Sequence, residues 1–458
     1  MSGTDGKTPV AVPAEQSEGK RAGEAGQERP KTEPPIWTKR MLATLEKGVT
    51  GGKWYSLIDK LYPIATLAAA FAQVKANDGA AGVDHVSIED YAANLETNLA
   101  SLSEGLRTGS YRPQAIRRHY IPKPGSQEKR PLGIPTVQDR VVQTALRMLL
   151  EPIPGSGLRP ARGQAYERDF AAQSYGFRPN LGCKDALRRV DELLKAGYVH
   201  VVDADLKSYF DTIPKDRLLA LVAGKVADRR VLALVEAFLG QRVLEGDQEW
   251  TPEQGTPQGA VISPLLSNIY LDPLDHLMAR SGFEMVRYAD DFVVLCRTPE
   301  EAADALAVVR DWTAQAGLTL HPVKTRLVDA RTDGFEFLGY RFEADQRWPR
   351  AKSLTKLKDT IRAKTKRTTG RSLAKVIDDL NPTLRGWFGY FQHSRARTFG
   401  TLDGWVRRRL RSLLRKQQKL EGIADVRGAD QTRWPNRFFA DHGLFSLQVA
   451  YATVRQSS

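Results

Sequence analysis

EMVRYADDFVVLC, residues 284–296, sets two apolar runs around a pair of adjacent carboxylates, Asp290 and Asp291. The segments EMVRYA (284–289) and DFVVLC (291–296) are rich in β-branched and aromatic residues and read as strands. Strand, two acids, strand spells a hairpin whose tip carries the charge. Asp is a common turn residue because its side chain bonds nearby backbone, so a turn that happens to hold two acids is the plainer reading. Metal binding requires a further carboxylate from elsewhere in the chain.

VVDADLKSYFDTI (201–213) supplies one. Strand side chains alternate, so Asp203 and Asp205 share a face, with Val201, Val202 and Leu206 around them. Acids on an apolar strand are costly unless paired or bound to metal. An edge strand with exposed acids is the ordinary explanation. Set beside the 284–296 hairpin, however, Asp205, Asp290 and Asp291 form one cluster whose mutual repulsion raises their pKa values. A divalent cation relieves that repulsion, and hard oxygen ligands with phosphate co-ligands favour Mg²⁺. Two such ions clamp both oxygens of an in-line phosphoryl displacement, the chemistry of nucleotidyl transfer. No HxxxH or Cys/His cluster offers another metal site. Gly133, Gly176 and Gly259 lie outside any Walker A pattern, so NTP-hydrolase chemistry is not indicated.

At 458 residues the chain is too long for one core and predicts two to four domains. Its longest apolar run, PIATLAAAFA (63–72), is about half of what spans a bilayer, and MSGTDGKTPV lacks a signal-peptide pattern. No membrane association is expected. Cys183 and Cys296 stand far apart and make no disulfide framework, which points to the reducing cytoplasm. The net charge of +14 is concentrated. Residues 351–420 hold 19 Lys and Arg against 4 Asp and Glu, a net +15, interleaved with Trp387, Phe388, Tyr390, Phe391 and Trp405. A charge run is usually a solvated face; a single-sign excess of this size among aromatics points to nucleic acid.

Residues 1–36, with few large apolar side chains, read as a disordered tail. LIDKLYPIATLAAAFAQV (57–74) predicts a helix with a Pro near its first turns, and PEEAADALAVVRDWTAQAG (299–317) one closed by Gly317. Strands and helices alternate from about 111 to 345. Beyond 351, Leu354, Leu357 and Ile361, then Leu373, Val376, Ile377 and Leu380, then Leu410, Leu413 and Leu414 recur at helical spacing. The pattern is an α+β domain followed by a basic bundle of about three helices.

The ordered blocks NDGAAGVDHVS (77–87), KPGSQEKRPLGIPTVQDRVVQ (123–143), SYGFRPN (174–180), DADLKSYFD (203–211), TPQGAVISPLLSNIYL (256–271), YADD (288–291), GLTLHPVKT (317–325) and FEFLGYRF (335–342) resemble the reverse transcriptases encoded by bacterial group II introns. NPTLRGWFGYF (381–391) resembles that family's maturase, or thumb, domain, and WPNRFFADHGLFSL (434–447) the tail of its shorter members. The resemblance covers about residues 40–455. It implies a right-hand polymerase: N-terminal extension and fingers (37–195), palm (196–350), α-helical thumb/maturase domain (351–420) and a short DNA-binding-like tail (421–458). Ser208 and Ala260 replace glycines common in the family. With no Cys or His cluster after 420, the zinc-associated endonuclease of longer members is not expected.

The same resemblance implies roles at matching positions. Asp205, Asp290 and Asp291 would be catalytic and hold two Mg²⁺ ions, with the Leu206 backbone carbonyl as a further ligand. Asp203 and Asp211 stay structural. Lys123 and Arg130 would hold the triphosphate. Phe210 would exclude a ribose 2′-hydroxyl, unless it is an ordinary core residue. Gln258 would contact the nucleotide, and Gly259 would permit close backbone approach. Tyr288 and Ala289 would meet the primer, with Lys324 near the phosphates or in a structural ion pair. Trp387 fits thumb core better than a base-stacking platform. Lys352, Lys356, Arg385, Arg407 and Arg408 are the RNA-binding candidates. The implied function is RNA-directed DNA polymerase with maturase activity, with intron RNA, a DNA target and primer, and dNTPs as partners. A splicing-only maturase and a related enzyme recruited to a host role, such as phage defence or repair, are the rival functions.

Overall fold

The structure is a computed structural model that describes residue 36 and residues 53–122, 129–151, 170–343, 346–420 and 428–456. The tail expected at 1–36 lies outside the described residues except for Ile36, and Lys123 lies outside them too. Eleven strands occur among the described residues: β1 (Ile116–Pro122), β2 (Lys129–Ile134), β3 (His200–Asp205), β4 (Val243–Glu245), β5 (Gln248–Trp250), β6 (Glu284–Tyr288), β7 (Asp291–Cys296), β8 (Arg326–Asp329), β9 (Phe335–Phe337), β10 (Tyr340–Glu343) and β11 (Gln346–Pro349). They form sheets ordered β2-β1-β4-β5, β6-β7-β3-β8 and β11-β10-β9. The chain divides into two compact units, the first ending at Leu327 and the second running from Val328. Mixed sheets and helices followed by a helical stretch match the α+β class predicted above. No helix among the described residues is long and apolar enough to cross a membrane.

In the first unit the expected helix over 57–74 is two helices, Ile58–Leu61 and Ile64–Asn77. Pro63 sits between them with ψ 135°, and its missing N–H cannot continue a helical ladder. The longer helix packs on Val137–Leu150, where Val137, Val141, Val142, Ala145 and Leu146 have no exposed surface. Pro299–Gln315 begins at Thr298, whose hydroxyl accepts from the Glu301 N–H at 3.1 Å, and Gly317 follows its end at φ +69°. β7 and β3 are the centre of their sheet, with β6 of the hairpin beside β7. Phe292, Val293, Val294, Leu295 and Cys296 are all fully buried, so β7 is covered on both faces.

The second unit joins a small sheet to helices. Its three expected helical stretches appear as Ala351–Lys364, Leu373–Phe391 and Ala396–Gln417. Ile361, Val376, Leu380, Leu410 and Leu413 form their common core. The Tyr340 hydroxyl donates to Tyr390 O at 2.6 Å, and the Tyr390 hydroxyl donates back to Leu338 O at 2.8 Å, tying β10 to Leu373–Phe391. Asp403, buried on the most basic helix, accepts from Ser446 Oγ and from the N–H groups of Leu447 and Gln448. It thereby caps the last helix, Leu447–Gln456.

Candidate active site

Two residues, Ala289 and Asp290, connect β6 to β7, with Tyr288 and Asp291 as the closing pair. A loop this short needs positive φ at its first central residue. Ala289 supplies it at φ +59°, a conformation that costs a side chain on the order of 1 kcal/mol. The loop at 174–177 braces the turn. A Cβ at Gly176 would lie 2.3 Å from Ala289 N, so only glycine allows the two backbones to meet. Phe177 sets its ring 6.2 Å from that of Tyr288.

Arg287 holds these parts together. It is completely buried, one residue before Tyr288. Its Nε donates to Asp275 Oδ1 at 2.7 Å and a terminal nitrogen donates to Asp275 Oδ2. The remaining N–H groups reach Asn268 Oδ1 at 3.0 Å, Ser174 Oγ at 2.8 Å and Ala289 O at 2.8 Å. Burial opposes the guanidinium charge, but Asp275 outweighs it and the pKa is raised. One side chain therefore fastens the positive-φ turn to the helix Ser263–Arg280 and to the SYGFRPN block. Sequence reading gave neither Arg287 nor Asp275 a role. An Arg inside an apolar strand, EMVRY, was the available signal.

The acids meet through strand register. Asp205 faces Asp291 across β3 and β7, while Asp203 faces Val293. Like charges directly opposite on neighbouring strands repel. Lys324 Nζ donates to Asp205 Oδ2 at 2.8 Å, and Arg326 donates twice to Asp203 Oδ2 at 3.1 Å. Asp290 is half-buried in the turn. Burial, and then the Asp205 charge, push its carboxyl above the usual range, while Arg130 and Arg287 pull the other way. Among the described residues no three His, Cys, Asp or Glu side chains close into a metal cage. The donor chemistry nonetheless fits a hard cation: the groups are all oxygens, and the Asp205 charge disfavours that of Asp290. Leu206, the backbone candidate, is buried and bridges Leu320.

Of the nucleotide candidates, Phe210 and Gln258 line a cavity of about 210 Å³, together with Arg118, Asp211, Gln241 and Trp250 among others. Phe210 and Asp211 lie on the one-turn helix Tyr209–Thr212, which Ser208 enters at φ +50°. Thr256 N donates to Phe210 O at 2.7 Å and Gly133 N to Gln258 O at 2.6 Å, so the TPQG loop is tied to both sides. Gly259 takes φ +104°, and a Cβ there would lie 2.5 Å from Gly133 O. Arg130 is exposed on β2.

The RNA-binding candidates lie in the second unit. Lys352, Lys356, Arg385 and Arg408 are exposed. Arg385 rests on Phe445, 5.5 Å from its ring centre. Arg407 turns inward and lies 3.9 Å from Asp403. Trp387 packs on Phe391 and Phe399. Sequence reading passed over a ring of cations around Trp405, where Lys358, Arg362 and Arg409 lie within 6.0 Å of the indole centre. The pairs Lys358/Arg362 and Trp405/Arg409, each at i, i+4, were its sequence signal.

Comparison with known proteins adds the following. The reverse transcriptase (RNA-dependent DNA polymerase) family model matches residues 121–342, and the group II intron maturase-specific domain matches residues 354–429. Protein YkfC of Escherichia coli (strain K12) is 32% identical over 299 residues, 57% of this chain and 75% of that protein. The group II intron-encoded protein LtrA of Lactococcus lactis subsp. cremoris is 36% identical over 205 residues, 45% of this chain and 31% of LtrA. The "Uncharacterized 91 kDa protein in cob intron" of Schizosaccharomyces pombe is 31% identical over 282 residues, 49% of this chain and 33% of that protein. The matches thus span about a third of the length of LtrA and of the yeast protein.

Two expectations follow from the site's physics. Replacing Arg287 by Met strands a buried Asp275 charge and costs about 3–5 kcal/mol in urea unfolding, most of which Arg287→Met combined with Asp275→Leu recovers. Asp290→Asn stabilises the metal-free protein. The folded pKa of Asp290 is raised, so its stabilising contribution is full at acid pH and is lost as pH rises through that pKa. Melting in EDTA should show no gain for Asp290→Asn in acid and a growing gain toward neutral pH; an equal gain at all pH values would refute the cause given.

Proposed function

Since the chain belongs to the reverse transcriptase and maturase family of group II introns, we propose that it copies RNA into DNA and binds its intron RNA to promote splicing. The observation that carries this reading is the meeting of Asp205 and Asp291 in register, with Asp290 coupled to Asp205 and within the field of Arg130. In the reaction, the primer 3′-oxygen attacks the α-phosphorus of a deoxynucleoside triphosphate and pyrophosphate leaves. Asp205, Asp290 and Asp291 would hold the divalent cations, two Mg²⁺ by the family pattern, with the Leu206 carbonyl as a further ligand. When bound, these ions lower the pKa of the primer hydroxyl and neutralise the triphosphate.

The chain's own residues do the rest. Arg130 and Lys123 hold the triphosphate by charge. Phe210 occupies the space a 2′-hydroxyl would need, so selection of deoxynucleotides is steric. Gln258 and Gly259 present a side-chain amide and a close backbone to the nucleotide. Tyr288 and Ala289 support the primer end. Lys324 neutralises Asp205 in the arrangement described above and is available to phosphate once that carboxylate is otherwise engaged. Residues 37–195 act as fingers, 196–350 as palm and 351–420 as thumb, followed by the 421–458 tail. The exposed Lys352, Lys356, Arg385 and Arg408, together with Arg407, meet RNA phosphates. Copying and splicing serve the intron's mobility, with a DNA target and a DNA primer as further partners.

Primer extension on an RNA template tests the first half of this function. Wild-type protein should extend in Mg²⁺, and Asp290→Ala should abolish extension; surviving extension would remove Asp290 from the metal set. Phe210→Ala should relax discrimination against ribonucleotides. Unchanged discrimination assigns Phe210 to the core instead. For the second half, intron RNA affinity should fall steeply with salt and persist in Asp290→Ala. RNA binding without any wild-type extension would leave only the splicing role.

A further inference from the structure

We propose that Asp211 is a positioning residue for the incoming nucleotide, acting by fixing the orientation of the Gln258 side-chain amide. This rests on the reading of Gln258 as a nucleotide contact and adds a residue to that site. Gln258 Nε2 donates to Asp211 Oδ2 at 3.0 Å. A carboxylate only accepts hydrogen bonds, so the amide must present its nitrogen to Asp211. That requirement removes the two-fold ambiguity of a terminal amide. With Nε2 turned to Asp211, the Oε1 acceptor is committed to the opposite edge of the group. Gln258 is thereby set to accept from a hydroxyl or amino donor of a nucleotide.

The surroundings are built for such control. Asp211 follows Phe210 on a single helical turn, and Asp211 N donates to Ser208 O at 2.8 Å. Gln258 is held at its other end, where its own carbonyl accepts from Gly133 N at 2.6 Å. Backbone and side chain are thus anchored separately, the first to β2 and the second to the helix that carries Phe210. The would-be Cβ of Gly255 lies 2.6 Å from Phe210 O and 2.8 Å from the Asp211 backbone, so glycine lets the loop before Gln258 close on this turn. Phe210, Asp211 and Gln258 all line the same cavity. The steric element and the hydrogen-bonding element then share one support, and a shift of the 209–212 turn moves both.

The test is a double-mutant cycle on single-nucleotide primer extension, using the full chain with a fixed RNA template and DNA primer. Asp211→Ala should raise KM for each dNTP about fivefold, the worth of one ordinary hydrogen bond, with little change in kcat. Asp211→Asn should restore most of the loss, because its Oδ1 can still accept from Nε2. Gln258→Ala should raise KM as well, and Asp211→Ala should then add nothing further, since the two act as one unit. Additive losses, or a fall in melting temperature that accounts for the Asp211→Ala loss, would overturn the proposal and make Asp211 merely structural. A raised KM in Gln258→Ala with none in Asp211→Ala would also overturn it while leaving Gln258 as a nucleotide contact. No change in Gln258→Ala would sink both readings.

Discussion

The Arg287–Asp275 ion pair is the constraint on which the candidate active site depends. Both side chains have no exposed surface, and a buried pair of this kind is held at a desolvation cost. Its value lies in what else Arg287 reaches. The same guanidinium bonds Asn268, Ser174 and the carbonyl of Ala289, so a helix, a loop and a tight turn share one rigid donor fork. An apolar side chain of equal volume would fill the space without dictating where Ala289 O must lie. The positive φ at Ala289 is tolerated because this network and the contact with Gly176 leave the turn no other arrangement.

That rigidity serves a site with opposed demands. Asp205 and Asp291 face each other in register, and Asp290 is buried enough for its charge to be disfavoured. A relaxed protein would separate them. Here the strand pairing and the Arg287 clamp hold them near one another, and the neighbouring cations Lys324, Arg130 and Arg287 moderate the repulsion. Functional sites commonly store such cost, compensated by the fold around them. The second unit handles charge differently. Among its described residues the buried charges Asp403, Asp430 and Arg411 are each hydrogen-bonded, Asp403 to a helix N-terminus, Asp430 to Arg415 and Arg411 to Trp434 O.

Much of this was legible in the chain. The 284–296 hairpin, the strand carrying Asp203 and Asp205, the helix closed by Gly317 and the three helices of the basic segment follow from short-range patterns: alternation, helical spacing and turn residues. The roles of Arg287, Asp275, Asn268 and Ser174 were not legible, because each is an isolated polar residue whose partners lie in other elements. Periodicity reports a side chain's face and carries no information about what arrives opposite it. The ring of cations around Trp405 escaped for the same reason, since Arg409 and Lys358 come from different helices. The split of the first long helix at Pro63 was signalled by the proline itself.

By itself the sequence determined which residues carry charge, which faces are apolar, and the order of blocks by which the family is known. These are local properties, set by side-chain chemistry and by periods of two and 3.6 residues. Only the tertiary structure decided that Asp205 stands opposite Asp291, that Asp203 belongs to Arg326, and that Gln258 turns its nitrogen to Asp211. Each of those depends on strand register or on loop closure across tens of residues. A one-residue slip would turn every side chain of β3 to the other face and dissolve the site while leaving the local patterns intact.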